Sequence, residues 1–349
     1  MNTGKYGNVL GLKVLITNYH LHSPGGTEIY VRDLAMELVR QGHFPAVYTP
    51  NPGTFSEELQ TAGIPVTSKL RRFKFRPDVI HGHHKVETLA ALERFPWIPA
   101  IYICHDHTHF VDGLVIHPRI RRYFAVSNLC AERLIKEGLA GHKVHLIQNF
   151  VDTNRFQPRP PLPDRPRRAL LFSNYAKAET HLPAVTEACR RMGLPLDVIG
   201  AGVGNSLSNP ESVIGQYDLV FAKAKAAMEA MAVGAAVILC DFGGVGPMVT
   251  AAEFDRLRPM NFGFQALCDP LEPENIVRQV ARYNPSDVAL VRERIRAEAS
   301  LASAVQGLTE VYEQVIKEHN AAIPWFYRKL LSIFPFINRG VEKLLNSRI

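Results

Sequence analysis

Apolar and polar positions follow two rhythms along most of the chain. Short apolar runs of strand length, Lys13-Val-Leu-Ile-Thr17, Ala46-Val-Tyr-Thr49, Asp78-Val-Ile-His81, Ala100-Ile-Tyr-Ile-Cys104 and Tyr123-Phe-Ala-Val126, are separated by segments of helical period. The clearest helical segment places Val31, Leu34, Ala35, Leu38 and Val39 on one face and ends at Gln41-Gly42. The same period predicts helices over 86–95 and 127–138. Strand and helix in alternation imply a parallel sheet with right-handed crossovers.

The rhythm pauses after Val144-His-Leu-Ile-Gln-Asn149, where residues 158–166 carry five prolines with Arg159 and Arg165. Proline at that density marks an exposed, semi-rigid connection. Strand signals resume at Ala169-Leu-Leu-Phe172 and Leu196-Asp-Val-Ile199, and a further strand is predicted at Gly263-Phe-Gln-Ala-Leu267. Helices are predicted over 179–192, 273–283 and 286–318. The expected organisation is one α/β domain over 1–152, a second over 153–320 and a basic aromatic tail over 321–349.

The richest stretch is 218–247. It reads as a strand (Asp218-Leu-Val-Phe221), a lysine-bearing turn, a helix around Glu229, a strand (Ala236-Val-Ile-Leu-Cys240) and Asp241-Phe-Gly-Gly-Val-Gly246. Open parallel sheets bind ligands at the carboxyl ends of their strands, so the turns at 222–225 and 241–246 are expected to line one crevice. Lys223 and Lys225 stand at the start of the helix, where cations are disfavoured unless an anion is present. Gly200-Ala-Gly-Val-Gly204 follows a strand, but lacks both the spacing of a dinucleotide fingerprint and a helix after it.

Composition narrows the picture only a little. A 46% hydrophobic and 21% charged chain of 349 residues is ordinary globular protein, and its net charge of +7 favours anionic partners. Five scattered cysteines without close pairs are expected to be free thiols. The first twenty residues lack a signal-peptide core and no apolar run approaches a bilayer span, so the expected location is cytoplasmic.

Three further features carry chemistry. Gly25-Gly26 opens the first helix and offers backbone N–H groups to an anion. Two histidine clusters, His81/His83/His84 and His105/His107/His109, end successive strands, and a zinc centre is an open alternative there. In the tail, Trp325, Phe326 and Phe334 stand among Arg328, Lys329, Arg339 and Lys343, a pattern suited to an anionic membrane face. Basic residues outside the tail are not gathered with aromatics, which argues against nucleic-acid binding.

In this order the glycine turn, Asp78-Val-Ile-His81-Gly-His83, His105-Asp106, Val126-Ser127, Asn149-Phe-Val-Asp152 and Glu229-Ala-Met-Ala-Val-Gly234 leading to Asp241-Phe-Gly-Gly244 resemble retaining GT-B glycosyltransferases of the family 4 type, over most of residues 13–318. The resemblance implies two Rossmann-like α/β domains with parallel sheets facing a central cleft. It implies a nucleotide-diphosphate sugar donor held mainly by the second domain, a glycan or lipid-linked acceptor held by the first, and neither metal nor cofactor. It places His105 beside the transferred sugar and Glu229 on the nucleotide ribose as the catalytic-site pair. Gly25, Gly26, Ser173, Asn174, Lys177, Lys223, Gly243 and Gly244 complete the expected donor site, with Lys177 and Lys223 on the diphosphate. With the basic aromatic tail, which suggests a membrane-linked acceptor, the expectation is a sugar transferase for cell-envelope polysaccharide or glycolipid, working at the inner face of the membrane. A sugar-nucleotide epimerase or hydrolase of the same fold, or a non-catalytic nucleotide-sugar binding module, are the alternatives.

Two positions depart from the family. The glutamate expected eight residues before Glu229 is Phe221, and the Gly-Arg turn expected after Phe172 is Ser173-Asn174-Tyr175-Ala-Lys177. A bidentate guanidinium is thereby exchanged for point charges.

Overall fold

The structure, a computed structural model, describes residues 11–22, 25–207 and 209–322. The chain forms two compact units. Unit 1 runs to Ile147 and resumes at Val305, and unit 2 is Gln148–Ala304.

Unit 1 is built from β1 (Lys13–Thr17), α1 (Gly26–Arg40), β2 (Phe44–Tyr48), α2 (Thr54–Thr61), β3 (Val66–Thr67), β4 (Val79–His83), α3 (Lys85–Arg94), β5 (Ala100–Cys104), β6 (Ile120–Ala125), α4 (Asn128–Lys136) and β7 (Val144–Leu146). The strands form a seven-stranded sheet in the order β3-β2-β1-β4-β5-β6-β7, parallel throughout. Val14, Leu15, Ile16, Ile80 and all of β5 are fully buried, as expected of strands covered on both faces.

Unit 2 contains β8 (Ala169–Phe172), α5 (Leu182–Arg191), β9 (Leu196–Ile199), β10 (Leu219–Ala222), α6 (Ala224–Val233), β11 (Ala236–Asp241), β12 (Gly244–Met248), α7 (Ala251–Leu257), α8 (Pro273–Val280) and α9 (Pro285–Glu298). Its sheet runs β12-β11-β10-β8-β9 and is parallel except for the edge strand β12. Asp241 pairs with Gly244, so Phe242-Gly243 is a two-residue hairpin loop, and the glycine turn expected over 241–246 is in fact half strand.

Three expectations change. The helix predicted over 286–318 is two, α9 and α10 (Leu301–Ala322), because Ser300 leaves helical geometry to bridge Val151. The strand predicted at 263–267 is a single 3-10 turn over Phe264–Ala266, following Asn261 and Phe262 at φ 50° and 52°, values no strand residue adopts. The second domain does not extend to residue 320, since α10 carries the chain back into unit 1 at Val305. Ala321 and Ala322 end α10, and the rest of the expected tail lies outside the described residues. Among the described residues no helix is long and apolar enough to cross a membrane. All five cysteines are free thiols, with Cys268 alone exposed.

Candidate functional site

In unit 1 the strand period of two places His81 and His83 on one face of β4, both fully buried. His105, just past β5, is half-buried and bonds to His83, with Nε2 2.7 Å from the His83 Nδ1. At the other end, His81 Nδ1 lies 2.5 Å from the Tyr312 hydroxyl of α10. The imidazoles form a ladder, with ring centroids 4.6 Å apart for His81 and His83 and 4.7 Å for His83 and His105. Tyr30 of α1 closes it edge-on, 4.8 Å from His105.

Burial sets the charge state of this ladder. It pushes His81 and His105 down to about 3, and, with help from neighbouring imidazoles, holds His83 well below its usual range. His105 is thus a neutral hydrogen-bonding group near pH 7, suited to orienting a hydroxyl rather than to supplying positive charge. Its backbone N–H donates to Asp112 Oδ1 at 2.8 Å, and burial lifts that carboxyl to about 7. The two clusters do not meet on one point: Asp106 ties Thr108 and His109 into an exposed turn, and among the described residues no group of three His, Cys, Asp or Glu is arranged to hold a metal.

Gly25 is the N-cap of α1 and Gly26 its first residue. The Glu28 carboxyl folds back over this turn, so close that a Cβ on Gly25 would lie 2.1 Å from Oε2. Glu28 Oε1 is also 3.2 Å from His20 Nδ1, and burial raises the carboxyl to about 7. A ligand phosphate at Gly25-Gly26 would therefore share the helix terminus with a group that is about half charged near neutrality.

In unit 2 the carboxyl ends of β8, β10 and β11 converge. Lys223, the N-cap of α6, places Nζ 3.0 Å from Asp241 Oδ2, joining the two turns expected to share a crevice. The Lys223 ammonium also sits over the rings of Tyr175 and Phe264, 5.0 and 4.3 Å from their centroids. Phe242 packs edge-on against both rings, at 5.5 and 5.2 Å, and all three aromatics remain exposed. Fully buried His181 lies 3.7 Å from Asp241 Oδ1 on the other side.

The remaining expected residues fall around this junction. Ser173 and Asn174 form the turn after β8, with Asn174 Oδ1 accepting the Ala201 N–H at 3.0 Å. Gly200 and Gly202 let the following loop lie directly on that turn, where a Cβ would come 1.9 Å from the Ser173 carbonyl oxygen or 2.3 Å from that of Ala176. Lys177 is exposed two residues beyond Tyr175. Gly243 and Gly244 belong to the hairpin next to Phe242. Glu229 is buried in the second turn of α6, and Lys225 Nζ donates to the Phe150 carbonyl at 3.4 Å. Phe221 is wholly buried in the core. Tyr175 and Phe264 were not among the expected site residues, and Asp241 and Phe242 fall in the 241–246 turn expected to line the crevice but had no role assigned.

Two α/β units, each with a parallel-dominated sheet and polar groups at its strand ends, define the GT-B architecture. Solved structures agree. Anabaena HepE in complex with UDP and glucose aligns at a TM-score of 0.63 and 14% identity, over 86% of this chain and 99% of that one. A glycosyltransferase from Rickettsia africae aligns at 0.63 and 15%, over 88% and 99%. Acinetobacter baumannii MurG aligns at 0.51 and 14%, over 86% and 99%. No curated protein sequence matches the chain. Residues 24–155 match the family model described as Glycosyltransferase Family 4, and the fold of the two units is the one those GT-B structures share.

Proposed function

We propose that this chain is a glycosyltransferase that moves a hexosyl group from a nucleotide-diphosphate sugar to a glycan or lipid-linked acceptor, without a metal and with retention of configuration. Lys223, drawn to Asp241 at the convergence of three strand ends and ringed by aromatics, is the observation that carries the reading. An ammonium so placed can exchange its carboxylate for a diphosphate, whose growing charge must be stabilised as the leaving group departs. Lys177 adds a second positive charge, Glu229 accepts the ribose hydroxyls, and Ser173, Asn174, Gly243 and Gly244 shape the turns around the nucleotide. His105 orients the reacting sugar as a neutral donor or acceptor, and Gly25 and Gly26 meet a phosphate or the sugar edge. The acceptor belongs to cell-envelope polysaccharide or glycolipid synthesis at the cytoplasmic face of the membrane, with the basic aromatic segment 323–349 as a peripheral contact.

Support comes from the UDP and glucose bound by HepE, a protein of the same fold. The test is a thermal-shift panel of nucleotide diphosphates and their sugars on wild type and Glu229→Ala. A cognate nucleotide at about a hundred times its Kd adds roughly 2.7 kcal/mol to the wild type, and Glu229→Ala loses most of that shift. If no nucleotide moves the wild type, the donor site is wrongly placed.

A second reading, a nucleotide-sugar binding module without turnover, is favoured by one observation: the position at which the family has its sugar-contacting glutamate is a fully buried phenylalanine. It predicts thermal shifts with no transfer to any acceptor and no donor hydrolysis.

A further inference from the structure

The amino-terminal edge of the unit 1 sheet, opposite the strand ends that carry His83 and His105, has a feature that sugar transfer does not use. Contrary to the expectation that basic residues gather with aromatics only in the tail, residues 71–76 lead into β4 as Arg-Arg-Phe-Lys-Phe-Arg, and burial alternates along them: Arg72, Lys74 and Arg76 are exposed, while Phe73 and Phe75 are half-buried. The two rings stack 5.6 Å apart. With Arg71, Arg94 and Trp97 they line a cavity of about 530 Å³ into which no carboxylate projects. None of Arg71, Arg72, Lys74 and Arg76 forms an ion pair with a described residue. The positive edge continues across β6 and β7, where a second cavity of about 710 Å³ carries Arg121 and Lys143.

Uncompensated cations repel one another, so a cluster of five is stable at low cost only where solvent ions or a ligand anion share the space. Interleaved phenylalanine makes this more than a solvated surface, because an apolar layer lying directly beneath a cationic one matches the boundary between acyl chains and phosphates. The end of the described chain gives a second, independent pointer. His319, three residues before the close of α10, donates Nε2–H to the Trp97 carbonyl at 3.1 Å, so the last described turn of α10 lies beside this cavity, and the sequence that follows it reads Ile323-Pro-Trp-Phe-Tyr-Arg-Lys329.

We propose that the edge formed by residues 71–76, Arg94 and Trp97 is a docking surface for a phosphate-bearing lipid membrane. Its phosphates sit among Arg71, Arg72, Lys74, Arg76 and Arg94, and its interfacial apolar layer meets Phe73, Phe75 and Trp97. The inference deepens the membrane-linked acceptor proposed above, and rests on it for its role but not for its test.

The test is flotation of the full chain with phosphatidylglycerol-containing vesicles and with pure phosphatidylcholine vesicles. Wild type is compared with R72Q/K74Q/R76Q and, separately, with R328Q/K329Q in the terminal segment. The wild type floats only with the anionic vesicles, and the triple variant binds them more weakly by roughly fivefold for each cation removed, while keeping the wild-type melting temperature as evidence of folding. Loss in both variants supports one continuous surface, and loss in the triple variant alone supports the cavity edge without the terminal segment. A triple variant that floats like wild type overturns the proposal, and if R328Q/K329Q then fails to float, the terminal contact survives without it. A wild type that ignores vesicles but is stabilised by pyrophosphate through these arginines also overturns it, as the site then takes a small soluble phosphate. An equal response to RNA competitor and to vesicles marks a general polyanion surface and likewise rejects the assignment.

Discussion

The strand ends of the two sheets bury polar chemistry by opposite means. Unit 1 stacks uncharged imidazoles, His81, His83 and His105, which burial keeps neutral, whereas unit 2 buries a full ion pair, Lys223 with Asp241, under aromatic rings. All histidines but His181 lie in unit 1. A neutral ladder avoids the desolvation cost of charge but depends on pH, while a buried pair depends on both partners staying in place. The difference suits the proposed roles, since a sugar needs oriented hydrogen bonds and a diphosphate needs charge.

The largest expected effect is acid lability of unit 1. His81, His84 and His105, depressed to about 3, and His83, depressed further, bind protons in the unfolded chain below about 6.5 but not in the folded one, so each withdraws about 1.4 kcal/mol per pH unit as pH falls. Glu28 and Asp112, raised to about 7, act in the opposite direction: they bind protons when folded, and so add stability as pH falls from about 7 towards their unfolded values near 4. Four imidazoles outweigh two carboxyls, leaving a net loss of roughly 3 kcal/mol per pH unit between about 6.5 and 4.5. Tyrosine and tryptophan fluorescence during acid titration checks this. A chain equally stable at pH 7 and 5 would break the contrast between the units.

The next effect is on unit 2. Asp241→Asn leaves the Lys223 ammonium, largely buried, without its carboxylate and is expected to cost about 3 kcal/mol by urea denaturation, while Lys223→Met combined with Asp241→Asn recovers most of it. A bound nucleoside diphosphate supplies the missing anion, so its thermal shift should be larger in Asp241→Asn than in wild type. An equal or smaller shift would show that Lys223 does not change partners.

How much of this was legible in the sequence depended on range. The period of α1 and the apolar runs of β1, β4, β5, β10 and β11 are local, and burial confirms them except at Val39, which the last turn of α1 leaves exposed. His81-Gly-His83 was visible as a cluster, but not the Tyr312 hydroxyl that ends it, because 231 residues separate the partners and no local pattern encodes the contact. Similarly, Lys223 could be read as facing an anion, yet the anion present is Asp241, brought alongside by the parallel pairing of β10 and β11. The 263–267 segment failed as a strand because the positive φ of Asn261 and Phe262, fixed by tertiary contacts, starts a turn where the apolar pattern reads extended. Tyr312→Phe gives that long-range contact a value: removing the hydroxyl leaves His81 Nδ1 buried without its partner, at an expected cost of about 1–2 kcal/mol in urea denaturation.

The smallest stability effect belongs to the residues whose role is hardest to infer from packing. Phe242 is 48% exposed at the tip of a two-residue hairpin, so its core contribution is slight, and Phe242→Ala should change stability by no more than about 0.5 kcal/mol. An exposed ring held edge-on by Tyr175 and Phe264 next to an ammonium is nonetheless a poor use of a hairpin tip unless something planar or apolar covers it. Phe242→Ala is therefore expected to weaken nucleotide-sugar binding by roughly fivefold or more, consistent with about 1 kcal/mol or above for a stacked ring, and Phe242→Tyr to restore it. Calorimetric titration separates the outcomes. Weaker binding with unchanged stability assigns the aromatic trio to the ligand, whereas weaker stability with unchanged binding makes it a lid over Lys223 and Asp241 and returns the ion pair to a purely structural role.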